Sequence, residues 1–390
     1  MEWEFWKLYF FDFYKLADVV TKKWLTSSKG YQSLINKKMK SLLQYVLALF
    51  LVFSSSVFSQ KLEAKIDSII TAKFKPEIPG AVFLAAKNGK VVYRKAFGMA
   101  DLELNVKMKP EFIFEIGSIT KQFTAISVLM LVEQGKLNLN DEITKFIPDY
   151  PTNGNVIKIH HLLTHTSGIK DFTSMKSIKN IARENLSPKE LVDFFKDEPI
   201  DFKPGEQYKY CNSGYVLLGY IIEIVSGQTY RDFISERIFR KIGMNNTLYA
   251  SHERIIKNRV SGYRDKQGYV NKNYISFSIP YATGAIMSNV DDMLTWQNAL
   301  NKNVLLSSEF TEKAFTNYQL NDGTKIDYGY GWHLEKIKDK VVREHGGSIF
   351  GFKSMGIYEP SEQIYVIGLS NCECNSPTLI TTAVASLLID

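Results

Sequence analysis

Cysteine is scarce in this chain: Cys211, Cys372 and Cys374 are the only three in 390 residues. Three cysteines make no disulfide framework. Cys372 and Cys374 point to opposite faces if they lie on a strand, so no bridge between them is expected. Zinc spacing is missing too, because no cysteine or acidic pattern joins His160, His161 and His165. Neither a metal nor another cofactor is expected. There are no internal repeats, no low-complexity tracts and no Pro- or Ser-rich linkers. Collagen, coiled coil and disorder are excluded, and nothing divides the chain into independent modules.

A surplus of one charge sign is also smaller than it looks. The chain carries 48 Lys+Arg against 41 Asp+Glu, a formal +7. Such a surplus points to an acidic partner only if it is concentrated on a working surface. Residues 1–59 hold eight of the lysines and only four acids, which leaves +3 over residues 60–390. No like-charge block stands out there, so nucleic-acid binding has no support.

What the first 59 residues do contain is a leader. Residues 42–53 form a 12-residue apolar run, preceded by Lys37, Lys38 and Lys40 and followed by Ser54-Ser55-Ser56. A basic start, a short apolar centre and a small-residue end are the parts of a secretory signal peptide, with cleavage expected after Ser59. A membrane anchor is the competing reading, although a span needs about 20 residues. Met39 stands where such a signal begins. Residues 1–38 are therefore expected to be an extension outside the working protein, 39–59 the signal, and 60–390 the functional domain. The expected location is exported, periplasmic or secreted, and membrane-tethered if the signal is not cleaved.

Within 60–390, residues 81–97 read as two β-runs around Asn88-Gly89, a hairpin signal because both turn residues tolerate φ > 0. Residues 328–370 hold four more strand-like runs, broken at Lys338-Asp339, Gly346-Gly347 and Pro360-Ser361. The last, 363–369, is nearly all apolar and is expected to be central. Helices are expected at 61–73 and 376–389. The stretch 118–300 is mostly helical, with segments at 119–135, 188–196, 213–226, 229–242 and 288–300. This order predicts an α/β (α+β type) fold: an antiparallel sheet built from both chain ends, flanked by terminal helices, with a helical inserted subdomain.

Three short motifs could carry chemistry. Ser118-Ile119-Thr120-Lys121 precedes a segment apolar all round, expected to be a buried helix. Ser118 at its N-terminus meets free N–H groups, and Lys121 follows one turn later on the same face. A buried lysine has a depressed pKa and can take a proton from a serine hydroxyl. Equally, Ser118 reads as an N-cap and Lys121 as a surface lysine. Ser167-Gly168-Ile169-Lys170 repeats the spacing, but Gly168 makes that copy a turn. Tyr210-Cys211-Asn212 offers a phenol and an amide two residues apart, or simply an Asn cap beside a packed Tyr, with Cys211 a small filler facing away. Tyr269-Val270-Asn271 is a second copy. His345-Gly346-Gly347-Ser348 ends the strand 340–345. There the glycines permit close backbone approach and the next N–H can act as an oxyanion donor. The plain alternative is an ordinary strand-end turn.

Taken together and in this order, the motifs resemble the serine β-lactamase and penicillin-binding-protein superfamily, in particular its class C β-lactamase-related branch. The resemblance covers nearly all of 60–390. His161–Gly168, Asn212-Ser213-Gly214-Tyr215, Gly284–Ser288 and Tyr328-Gly329-Tyr330-Gly331-Trp332 add to it. It implies that Ser118 is a nucleophile forming an acyl-enzyme and that Lys121 and Tyr210 share the base and acid work. Asn212, His345 and Gly347 would contact substrate, with an oxyanion hole from the N–H groups of Ser118 and Ser348. It implies that His165 supports the site rather than reacts. His345 stands where the family usually places a lysine, and Gly346 where it places a hydroxyl residue, which puts efficient β-lactam turnover in doubt. The G-x-S-x-G elbow of another serine-hydrolase class is absent.

The expected function is thus an exported serine hydrolase acting on a small-molecule or peptide substrate: D-amino acid peptides, β-lactams or small esters. The alternative is an acylating penicillin-binding or sensor module without efficient turnover. A degenerate relative used as a binding protein is a third reading.

Overall fold

The computed structural model describes residues 39–40 and 60–389. The expected extension at 1–38 and nearly all of the expected signal segment lie outside the described residues. The chain divides into Met1–Ala64 and Lys65–Asp390, and the second unit holds the sheet, the helices packed on it and the candidate site.

The centre of this unit is a six-stranded antiparallel sheet. The strands are β1 (Ala81–Lys87), β2 (Lys90–Phe97), β3 (His333–Ile337), β4 (Lys340–Ile349), β5 (Phe352–Glu359) and β6 (Ile364–Ser370). Their spatial order is β3-β4-β5-β6-β1-β2, so the two ends of the chain meet at the β6–β1 pair. Every residue of β6 is buried, as are the first six of β1. Strands covered on both faces lose the polar–apolar alternation, which is why both read as continuous apolar runs. Asn88 and Gly89 take φ of 54° and 72°, as a two-residue hairpin turn requires.

The helical part includes α1 (Thr120–Glu133) and α2 (Asn212–Ser226), which pack on each other. Helix α3 (Val290–Asn301) and the C-terminal helix α4 (Thr378–Leu388) both pack on β6. A small sheet of Phe114–Glu115, Ile286–Ser288 and Leu248–Tyr249 joins the approach to α1 to the stretch before α3.

Two local expectations are corrected. Strand β4 does not end at 345; it runs through Gly346 and Gly347 to Ile349. Gly347 serves packing instead of breaking the strand: a Cβ there would lie 2.0 Å from Ile116 O and 2.2 Å from Ser354 Oγ. Cys372 and Cys374 form a disulfide. Both lie beyond β6, Cys372 in an isolated bridge to Tyr263 and Cys374 in the turn that follows, with Cα atoms 5.1 Å apart, so no common strand sets their side chains on opposite faces.

Candidate active site

Ser118 sits in a single 3-10 turn, Gly117–Ile119, that leads directly into α1. The turn is pressed against β4. Gly117 has φ +54°, and a Cβ there would fall 2.8 Å from Ser348 N. Only glycine fits both the conformation and the space. Ser354 on β5 donates its hydroxyl to Ile116 O at 2.8 Å, fastening the same turn from the sheet side.

Ser118 is not the cap of α1. That position belongs to Ile119, with no side-chain capping bond. Lys121 is not a surface residue either, because it is 0% exposed. Its Nζ lies 3.3 Å from Ser118 Oγ, 2.8 Å from Asn212 Oδ1 and 3.1 Å from Thr283 O. Burial lowers its pKa to about 7, with Asp171 pulling the other way. The neutral amine has two N–H groups and one lone pair. The carbonyls of Asn212 and Thr283 can only accept, so both N–H groups go to them. The lone pair is left for the Ser118 hydroxyl proton.

Asn212 opens α2 and is fixed from three sides. Beyond Lys121, its N–H donates to Asp171 Oδ1 at 2.9 Å and its amide nitrogen to Thr173 Oγ1 at 3.1 Å. Tyr210 lies with its ring against Lys121, 4.8 Å from Nζ to centroid, and on His165, 4.3 Å between rings. Its buried hydroxyl has no hydrogen-bond partner among the described residues. Burial pushes the phenol well above its ordinary range, opposed only in part by the neighbouring Ser118 hydroxyl. The phenol stays protonated and can give a proton. Cys211, between them, turns its buried Sγ to Ile169 O at 3.2 Å and has a pKa pushed up to about 12.

His345 is 2% exposed and hydrogen-bonds through both ring nitrogens, to Gly346 O at 2.6 Å and to the Tyr328 hydroxyl at 3.2 Å. Burial, then His333 and Lys121, hold its pKa well below 6.5, so the ring is neutral. A neutral imidazole cannot supply the cation that the resemblance assigns to this position. The structure thus gathers Ser118, Lys121, Tyr210 and Asn212, with Gly347 and Ser348 against the Ser118 turn. The second copies do not supply the chemistry: the Ser167–Lys170 loop packs on Cys211 and Ser213 but turns the Lys170 amine to Asp201, and Tyr269 and Asn271 are exposed. Asp171, Thr173 and Thr283 went unnoticed in the sequence. Only Thr283 had a signal, as the neighbour of Gly284–Ser288.

The family model described as Beta-lactamase matches residues 58–387. The chain belongs to the beta-lactamase family. Among its relatives, "Penicillin-binding protein 4*" of Bacillus subtilis (strain 168) is 32% identical over 318 residues, covering 77% of this chain and 69% of that one. Among solved structures, the octameric penicillin-binding protein homologue from Pyrococcus abyssi superposes with a TM-score of 0.73 at 32% identity. That match covers 84% of this chain and 77% of the other. The D-amino acid amidase from Ochrobactrum anthropi SV3 gives a TM-score of 0.69 at 25% identity, over 83% and 96% of the two chains. This family member is accordingly a hydrolase of the β-lactamase-related, penicillin-binding-protein-like type.

Proposed function

We propose that the protein is an exported serine hydrolase that cleaves an amide or ester through an acyl-enzyme on Ser118. The observation that carries this reading is the arrangement at Lys121: a buried amine held by the carbonyl oxygens of Asn212 and Thr283 with Ser118 Oγ 3.3 Å away, which in the neutral form leaves its lone pair for Ser118. In this reading Lys121 takes the Ser118 proton as Oγ attacks the substrate carbonyl. The N–H groups of Ser118 and Ser348 receive the oxyanion. The protonated phenol of Tyr210 passes a proton to the leaving amine or alcohol and is restored by the proton on Lys121, which returns to its neutral form. Water, giving its proton to Lys121, then attacks the acyl carbonyl, and that proton returns to Ser118 Oγ as it leaves. Asn212 orients the substrate amide.

The neutral His345 favours substrates whose recognition does not depend on a cation at that position. D-amino acid amides, peptides and small esters are therefore preferred over β-lactams. The similarity to a D-amino acid amidase supports this preference. Export rests on the leader at 37–59, whose test is N-terminal sequencing of the mature protein, with Gln60 as the expected first residue.

A panel of p-nitrophenyl esters, D-amino acid amides, a D-Ala-D-Ala peptide and a chromogenic cephalosporin tests the activity. Turnover of the first two, abolished in folded Ser118→Ala, is the expected result. Stoichiometric labelling by a fluorophosphonate or penicillin probe without product release would assign the acylating sensor instead. Undiminished turnover in Ser118→Ala would sink both.

A further inference from the structure

His165 and Tyr328 have no step in the reaction just described, yet they lie buried between its two flanks. His165 sits at φ +59°, a conformation non-glycine residues rarely adopt and one that persists only when the surroundings impose it. Its ring is enclosed by Tyr210, Tyr215 and Tyr328 at centroid distances of 4.3, 5.0 and 4.9 Å.

All but one of the hydrogen bonds here follow from what each partner can donate, and the remaining contact has to be decided: His165 Nδ1 lies 3.0 Å from Cys211 N and 3.1 Å from Cys211 O. Gly346 O can only accept, so His345 Nδ1, 2.6 Å away, carries a hydrogen. A neutral ring then has a bare Nε2, which accepts the Tyr328 O–H at 3.2 Å. The Tyr328 oxygen in turn accepts from His165 Nε2–H at 3.2 Å. That leaves His165 Nδ1 bare to accept the N–H of Cys211 at 3.0 Å, and the 3.1 Å contact with Cys211 O carries no hydrogen. The opposite tautomer would leave the Cys211 N–H without this acceptor and the one Tyr328 hydrogen facing two bare ring nitrogens. The nearby Tyr215 hydroxyl gives its own hydrogen to Leu163 O at 3.0 Å and so does not take the place of His165 as donor to Tyr328. Burial keeps both imidazoles uncharged. Four bonds therefore run in one direction, from the backbone between Tyr210 and Asn212 to the backbone of β4 one residue before Gly347.

We propose that His165, Tyr328 and His345 form a neutral, directional hydrogen-bond relay that holds the Tyr210–Asn212 flank and the Gly346–Ser348 strand in register about Ser118. The three are positioning residues, and their role rests on the hydrolase reading above. The relay sets the distance between the group that protonates the leaving atom and the amide that receives the oxyanion. Loosening it slows the chemical step more than it weakens substrate binding.

Two measurements test this. Long-range nitrogen–proton NMR of the substrate-free protein is expected to show neutral His345 in the Nδ1–H form and neutral His165 in the Nε2–H form at pH 7. In Tyr328→Phe, which keeps the ring and removes the bridging hydroxyl, p-nitrophenyl ester turnover is expected to fall about 10- to 100-fold in kcat, as small misplacements of reacting groups do. KM should change less than about twofold, because the substrate contacts remain. Either histidine charged or in the opposite tautomer overturns the relay, as does a wild-type kcat in Tyr328→Phe. If Tyr328→Phe does not fold, the NMR result on the unaltered protein decides. A wild-type protein without ester turnover would refute the hydrolase reading instead, and the relay would again stand or fall on the NMR forms.

Discussion

Lys121 Nζ lies 2.8 Å from Asn212 Oδ1, and this contact couples the two helices that frame the site. The amide oxygen occupies one N–H of the amine and so helps to turn the lone pair to Ser118. With burial lowering the Lys121 pKa to about 7, the amine is a working base above that pH and a protonated bystander below it. Initial rates with a p-nitrophenyl ester are expected to rise with pH through about 7 on the acid limb. Lys121→Arg keeps a cation but holds no available lone pair, so it should lose about 10²- to 10⁴-fold in kcat. A flat pH profile from 5 to 9 would contradict the assignment.

Asn212→Asp tests the same contact with an almost unchanged shape. A carboxylate 2.8 Å from the amine favours the ammonium form and raises the Lys121 pKa. The acid limb should move to higher pH, with activity at pH 7 falling and partly recovering toward pH 9. An acid limb that stays in place would show that Asn212 does not set the protonation of Lys121.

Much of this could be read along the chain, and the reasons differ by residue. Asn88-Gly89 was legible because a two-residue hairpin is a local demand on φ. The burial of Lys121 followed from a helix with no polar face. Asp171, Thr173 and Thr283 were not legible, because their bonds to Asn212 and Lys121 span 41, 39 and 162 residues and follow no periodicity. The strand through Gly346 and Gly347 misled for a related reason. Glycine weakens a strand in isolation, and the backbone that needs the space, at Ile116, lies far away in the chain.

Gly347→Ala should show that this approach is tight. Its Cβ would meet Ile116 O and Ser354 Oγ at 2.0 and 2.2 Å, and the first is backbone that cannot turn aside. Overpacking of this kind costs about 1–3 kcal/mol. A lower denaturant midpoint together with a loss of turnover is expected. Gly346→Ala is the control: its nearest neighbour would be Met355 Sδ at 3.5 Å, an ordinary contact, and stability should change little. Equal effects of the two substitutions would show that the Ile116 backbone does not limit what fits at Gly347.

Away from the site, Asn371 ties four backbone groups together. Its Oδ1 accepts from Gly80 N at 2.7 Å, and its Nδ2 donates to Met99, Ala100 and Ser261 carbonyls at 3.1, 3.2 and 2.9 Å. Asn371→Ala removes the bond to Ser261 O and the second bond of Gly80 N, Met99 O and Ala100 O, which keep their backbone partners, and should cost about 1–3 kcal/mol. Asn371→Asp should cost more despite its shape, since a carboxylate would then face three carbonyl oxygens. Thermal unfolding in the order wild type, Ala, Asp from most to least stable is expected. An Asp variant as stable as wild type would show that the amide donors contribute nothing.

His345→Lys restores the side chain that the family resemblance leads one to expect, and the structure predicts that it will not restore the associated function. The position is 2% exposed, and its electrostatic neighbours are His333 and Lys121. A second ammonium beside Lys121 disfavours the charged form of both, so the Lys121 pKa should drop below about 7 and the acid limb of the rate profile should move to lower pH. That shift is opposite in sign to the one expected for Asn212→Asp. In its charged form the lysine also cannot accept from Tyr328, whose hydroxyl then loses its acceptor at Nε2. Burying an unpaired charge is among the costlier substitutions, at about 3 kcal/mol or more. Lower stability, a displaced acid limb and no gain in cephalosporin hydrolysis are the expected results. A stable His345→Lys protein that turns over the cephalosporin efficiently would show that the strand tolerates a cation after all, and that a single side chain separates this site from a β-lactamase.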